Sequence, residues 1–393
     1  MSRPLEDVVV IDLTRLFCAS LSAAFLADFG ARVVRVERLA PSVRKAQGWN
    51  CEADLIHRNK ESIALDLNGD QGGGVLRELV AKADVLVTDW SVAELQALGL
   101  DYAGACALRP DIVFGRLSGF GPVGPDSELP AIDELAAART GMMPILPQPG
   151  QPPVYTGAGA MHSSAMLAFG VVTALLHRVD SGEGQAVDVS LFGANMYGAA
   201  LDIQAFLAIG KGDRLLNPIS RLDVSNPMSG ALYPSADGRW VTLTMPDTDR
   251  WWPMFSAAVG LAEDDPRFDT HDKRTETNRI ELIHALEAAF ATRPGAHWRQ
   301  GFMEKQMSAD VIERFDYPAS DPQARTNRYI LELEHPSFGT VKSLGFPIFL
   351  SEGTARLDAL APCIGQHSSP ILRDLLGYSE DAIHACRRAG VVA

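Results

Sequence analysis

Over residues 1–120, short continuous apolar runs alternate with stretches of helical spacing. Val8-Val-Val-Ile-Asp-Leu is an apolar run, polar only at Asp12, of the kind that parallel strands need when both faces are covered. Leu21, Ala24, Phe25 and Phe29 recur at helical spacing and stop at Gly30, a residue suited to ending a helix. Ala31-Arg-Val-Val-Arg-Val-Glu then predicts a second strand, so the opening is a βαβ unit. Ser62-Ile-Ala-Leu-Asp-Leu begins another, followed by a helix over 72–81 and a strand at Ala83-Asp-Val-Leu-Val. Asp111-Ile-Val-Phe-Gly-Arg-Leu predicts one more strand. Strands alternating with helices predict an α/β fold built on a parallel sheet.

After Gly119-Phe-Gly-Pro-Val-Gly-Pro the pattern changes. Residues 130–156 read as a helix and then an irregular loop, and a long helix is expected from about Met161 to His177. A strand at Ala186–Leu191 and helical spacing over 191–209 follow. Residues 210–228 and 317–328 lack periodicity and read as linkers. Between them, 229–316 has its own signature: a hairpin around Asp237-Gly238, then helices near 248–260, 276–291 and 296–306. Paired strands over 329–350 and two terminal helices close the chain. The expected organisation is one α/β domain in two parts, 1–209 and 329–393, interrupted by a small domain at 229–316.

A length of 393 residues suits two to three domains and needs no disulfide or metal staple. The formal charge of −14, without a Lys/Arg block, argues against nucleic acid or an anionic membrane as the main partner. No apolar run is expected to reach the roughly 18 to 20 residues of a membrane span. The opening residues, with Arg3, Glu6 and Asp7, do not read as a signal peptide. Five scattered cysteines and nine histidines, without CxxC, HxH or HExxH spacing, disfavour zinc and a disulfide frame. A cytoplasmic location is the expectation.

Candidate chemistry is sparse. Gly69-Asp-Gln-Gly-Gly-Gly matches neither GxGxxG nor a P-loop, so it reads as a helix entry rather than a phosphate cradle. Gly119–Pro125 fixes backbone shape at a strand end, where open α/β sheets place their ligands. Arg32, Arg35, Arg38, Arg44, Lys45, Arg58 and Lys60 are either a solvated face, which the residues alone favour, or a phosphate-binding cluster. His162 and His177 flank one helix and read as capping or snorkelling groups. Ser163-Ser164 lacks the GxSxG context of a hydrolase. Cys18, just after the first strand, is a candidate thiol nucleophile, against the commoner reading of an inert buried cysteine.

Taken together, several of these segments resemble the family III CoA-transferases, the group that also holds carnitine CoA-transferase, formyl-CoA transferase and α-methylacyl-CoA racemase. The similar stretches are Val10–Arg15, Leu26–Arg38, Arg58–Leu67, Leu117–Pro125, Ala174–Arg178 and Ser181–Leu191. Asp237-Gly-Arg-Trp-Val, Asp265-Pro-Arg-Phe and Ala361-Pro-Cys-Ile-Gly-Gln-His-Ser follow in the family's order. The resemblance implies a large Rossmann-like domain from the N- and C-terminal parts, a small α+β domain, and an interlocked dimer. It implies no covalently bound cofactor, with a CoA thioester as substrate.

In the family, an Asp carboxylate shortly before a long helix attacks the acyl-CoA, giving a mixed anhydride and then an aspartyl-CoA thioester. Counting back from Ala174-Leu-Leu-His-Arg puts that position at Ala160, which has no carboxylate. CoA contacts are implied for Cys18, Arg38, Leu65, Leu67, Asn68, Asp89, Trp90 and Ala97, and substrate contacts for Asp133 and Ala137. Several of these depart from the family pattern. Asp89 stands for an amide, Ala97 for an arginine, Asn68 for a lysine and Ala137 for a glutamine, while Arg38 and Arg58 remain as cations. The racemase branch also needs a His, which by count falls at Pro125–Glu128, where none occurs.

Three readings stay open. The first is a non-catalytic subunit paired with a paralogous chain bearing the Asp, in a heterodimer or heterotetramer, as in succinyl-CoA:(R)-benzylsuccinate CoA-transferase. The second is a homodimeric CoA-transferase whose Asp has been substituted at Ala160. The third is an acyl-CoA-binding protein without turnover.

Overall fold

The computed structural model describes residues 3–39, 49–210 and 216–393. They form two compact units. One joins the chain up to Met143 with Tyr155–Ala208 and Pro322–Ala393; the other joins Pro144–Val154 with Ile209–Asp321. The segment 144–154, expected within the large domain, thus groups with the middle of the chain.

The first unit is built on six parallel strands: β1 (Val9–Leu13), β2 (Arg32–Arg38), β3 (Lys60–Leu65), β4 (Val85–Thr88), β5 (Val113–Ser118) and β6 (Ala186–Ser190), in the spatial order β3-β2-β1-β4-β5-β6. Successive residues of a strand point to opposite faces, and here both faces are covered. Ile11, Val34, Ile63 and Leu65 pack on one side with Leu76, Leu79, Ile371, Leu372 and Ile383. Val10, Val33, Val85 and Val87 pack on the other with Ala19, Ala23, Leu167 and Val171. The C-terminal helices Ser368–Asp374 and Glu380–Arg388 therefore complete a core begun by the N-terminal strands.

On the second face lie α1 (Phe17–Asp28) and the long helix Ala158–Ser181. Small residues at the contact, Ala19, Ala23 and Ala27, let the two approach closely. The long helix corrects one expectation, because by length and composition it is apolar enough to cross a membrane. Its Ser, Gly and Thr residues interrupt the apolar run without offsetting it. Here 44% of its most apolar stretch is buried, facing β5 and α1, as in the core helix of a layered α/β unit. The helical stretch expected over 191–209 is two helices, Leu191–Gly198 and Ala200–Ile209, broken at Ala199.

The second unit carries an antiparallel sheet of Ser229–Pro234, Trp240–Thr244 and Ala309–Ile312, whose outer strand was not foreseen. Its core is aromatic: Tyr233, Phe255, Phe268, Phe290, Trp298 and Phe302 are buried together. The tyrosine hydroxyl, unable to stay unpaired there, donates to the Pro227 carbonyl at 2.7 Å.

Candidate functional site

The strand order reverses between β1 and β4, and open α/β sheets bind ligands at the carboxyl ends of strands at such a point. A cavity of about 330 Å³ lies there, lined by the segments that follow β1, β4 and β5, including Arg15, Asp89, Trp90, Glu94, Ser118 and Glu128. Asp89 is half-buried and accepts the backbone N–H groups of Arg15 at 2.8 Å and Leu16 at 2.6 Å. Burial outweighs those two donors and pushes its carboxyl up to about 6. Trp90 is 5% exposed, with the Arg15 guanidinium 3.9 Å and that of Arg38 5.1 Å from its ring centre. Its indole N–H has no hydrogen-bond partner among the described residues. Arg15 also pairs with Glu94 at 2.7 Å.

A fully buried ion pair supports this edge from below. Lys60 Nζ donates to Asp12 Oδ2 at 2.6 Å and to the Ser20 carbonyl at 2.7 Å, while Thr14 donates to Asp12 Oδ1 at 2.6 Å. The network ties the end of β1 to α1 and β3, so the loop bearing Arg15 leaves the sheet in a fixed direction. His57 lies against Ser20 Oγ at 3.1 Å, and burial holds its imidazole down to about 3.

Position 160 lies in the first turn of the Ala158–Ser181 helix, behind the left-handed Gly157. Ala160 is half-buried, and its carbonyl accepts the hydroxyls of Ser163 at 3.0 Å and Ser164 at 2.7 Å. Asp133 stands beside this turn. Its two oxygens accept from Tyr155 Oη and Asn195 Nδ2, each at 2.7 Å. Asn195 Nδ2 in turn lies 2.0 Å from where a Cβ on Gly159 would sit, so a larger residue there would displace the Asn195 amide from Asp133. Cys18 lies between the two regions: it packs in the core cluster that Ala160 touches, and it feels the charge of Asp89. Burial pushes its thiol up to about 11, which leaves it a weak nucleophile at neutral pH.

The structure therefore brings Cys18, Asp133 and Ala160 together, and places Asp89 and Trp90 at the switch-point cavity. Arg38 reaches Trp90 from the end of β2, paired in register with Leu65. Leu65 and Leu67 are buried in the same core cluster as Trp90. Asn68 and Ala97 are exposed and do not line the cavity, and Ala137 is buried near the end of the short helix Asp133–Ala138. The basic cluster needs correction. Arg58 is 2% exposed and paired with Asp28 at 2.6 Å, Lys60 is sequestered by Asp12, and Arg32 pairs with Glu61. These cations balance buried or neighbouring carboxylates, so of the two remaining phosphate partners only Arg38 is accessible. Arg44 and Lys45 lie outside the described residues.

Arg15, Glu94, Tyr155 and Asn195 were not anticipated as site residues. Their types carry no spacing signal, and only the fold places them. Among the described residues no group of His, Cys, Asp and Glu is arranged to hold a metal ion.

The model of CoA-transferase family III matches residues 5–368. The chain belongs to this family. It is 30% identical to the cinnamoyl-CoA:phenyllactate CoA-transferase of Clostridium sporogenes, over 96% of this chain and 94% of that protein. It is 28% identical to the succinyl-CoA–D-citramalate CoA-transferase of Chloroflexus aurantiacus, over 96% of each. A CAIB/BAIF family protein from Brucella suis has the same fold, with a TM-score of 0.82 at 24% identity, covering 95% of this chain and all (100%) of that one. Family III membership sets the general class, CoA-transferase, whose members use acyl-CoA substrates.

Proposed function

We propose that this chain is the non-catalytic subunit of a heteromeric family III CoA-transferase, which moves CoA between an acyl-CoA and a carboxylic acid. The observation that carries the reading is Ala160. Where the family resemblance calls for an attacking carboxylate, the side chain is a methyl group, and no neighbour replaces it. Ser163 and Ser164 spend their protons on the Ala160 carbonyl, and Cys18 is held as a thiol. Asp133 is engaged on both oxygens by Tyr155 and Asn195. The covalent steps then fall to an Asp on a companion chain.

The surface supports a partner. On the long helix Phe169, Leu176 and Val179 are 74%, 67% and 80% exposed, and the helix Ala200–Ile209 has no buried residue, with Leu201 88% exposed. Large apolar side chains exposed to this degree on two helices are what a protein partner would cover. An interlocked dimer with a paralogous chain would cover them, and a cytoplasmic location belongs to the same reading.

The test is to assay CoA transfer with this chain alone, with an Asp-bearing paralogue, and with both. Activity that needs the paralogue, and gains from this chain, supports the reading. Transfer by this chain alone contradicts it. A second reading, a homodimer disabled only at Ala160, is favoured by the ordered Tyr155–Asp133–Asn195 arrangement beside that position. It predicts that Ala160→Asp alone restores turnover without any paralogue.

A further inference from the structure

The chain's own Arg15 forms part of the wall of the switch-point cavity, over Trp90. Its guanidinium lies 3.9 Å from the centre of the Trp90 ring, a stacking distance. A nucleobase settling on that ring needs the same space. Arg15 is held at three points: Asp89 accepts its backbone N–H, Glu94 Oε1 takes its guanidinium at 2.7 Å, and Trp90 lies beneath. Glu94 is itself fixed, because its other oxygen accepts the Ser91 backbone N–H at 3.1 Å and hydroxyl at 2.9 Å in a capping box.

The second cation of the cavity, Arg116, is already paired with Asp188 at 2.8 Å. The carboxylates of Asp89 and Glu128 line the same cavity. A phosphorylated ligand thus meets paired Arg15 and Arg116 and nearby acids, with Arg38, 5.1 Å from the same ring centre, as the accessible cation. Trp90, although 5% exposed, keeps an indole N–H without a partner among the described residues, a cost that persists while the ring stays covered.

We propose that Arg15 and Glu94 form a latch across Trp90 that keeps the nucleotide end of CoA out of this chain's crevice. The proposal rests on the CoA-transferase reading only for the identity of the excluded ligand. It makes Arg15 and Glu94 determinants of CoA affinity without giving either a catalytic role.

Calorimetric titration with adenosine 3′,5′-bisphosphate, the nucleotide end of CoA, tests it on the full chain. The comparison is the unaltered chain against Glu94→Gln, which can keep the capping box, and Arg15→Ala, which uncovers the ring. Melting curves establish that each variant is folded. Arg15→Ala is expected to bind about tenfold more tightly, the factor set by losing an exposed ion pair and a cation–π contact from the competing state, and Glu94→Gln about twofold to threefold, the share of the ion pair alone. Weaker binding by Arg15→Ala would show Arg15 to be a ligand contact and overturn the proposal. Unchanged affinity in either variant overturns it as well. Because the readout is binding, its failure is separate from any failure of the transfer assay.

Discussion

Asp12 and Lys60 are the most exacting residues of the first unit, since both side chains are 0% exposed and each satisfies the other. Burial works against both charges, lowering the Lys60 ammonium, while the partners keep the Asp12 carboxyl below its ordinary range. Lys60→Met leaves a buried, uncompensated carboxylate and is expected to cost about 3–5 kcal/mol in urea denaturation. The double variant Asp12→Leu, Lys60→Met is expected to cost less, because no lone charge remains. A nearby pair of titrating groups gives opposite slopes with pH. Asp89, with its carboxyl raised to about 6, binds its proton more tightly when folded, so its contribution falls as pH rises from about 4 to 6. His57, held down to about 3, contributes stability that is full above its ordinary 6.5 and lost on acidification. Asp89→Asn keeps an acceptor for the Arg15 and Leu16 N–H groups. It is expected to be more stable than the parent at pH 7.5, by roughly 1–2 kcal/mol after allowing for partial exposure. At pH 4 the advantage should vanish, which chemical denaturation at both values will measure.

Elements of the first unit were largely legible because parallel strands covered on both faces are mostly apolar and alternate with stretches of helical spacing. Val8–Leu13 and Ala83–Val87 announced β1 and β4 for that reason. The helices Cys51–Ile56, Val92–Leu98 and Tyr102–Leu108 were missed, being short and held by caps at Asn50, Ser91 and Asp101 rather than by a long apolar stripe. The helix Asp70–Lys82, expected over 72–81, shows how a glycine-rich entry serves packing. A Cβ on Gly72 would sit 2.0 Å from the Asp66 carbonyl oxygen, whereas one on Gly74 would meet nothing within 4 Å. Gly72→Ala is therefore expected to destabilise by about 1–3 kcal/mol. Gly74→Ala is expected to stabilise by up to about 1 kcal/mol through helix propensity. Thermal melts of the two variants, moving in opposite directions, would separate packing from any phosphate-cradling role.

For the molecule as a whole, the weak periodicity around 210–228 and 317–328 led to an expected split into 1–209 and 329–393, whereas the contacts join Met1–Met143, Tyr155–Ala208 and Pro322–Ala393. The grouping of 144–154 with the middle was not readable, because a loop's allegiance depends on tertiary contacts its sequence does not display. The site divides in the same way. Ala160 stood out only through the family resemblance, counted back from Ala174–Arg178, and its neighbour Cys18 by position after a strand. Asp89 was read as a charge opposing phosphate, but it also holds the Arg15–Leu16 backbone, a role visible only when β1 and β4 lie side by side. Whether this chain ever carries CoA covalently decides the central claim. The direct measurement is peptide mass spectrometry of the mixed complex after brief exposure to an acyl-CoA, searching both chains for a CoA adduct. The adduct is expected on an aspartate of the companion chain and absent from this one. A CoA adduct on any side chain of this chain would contradict the account.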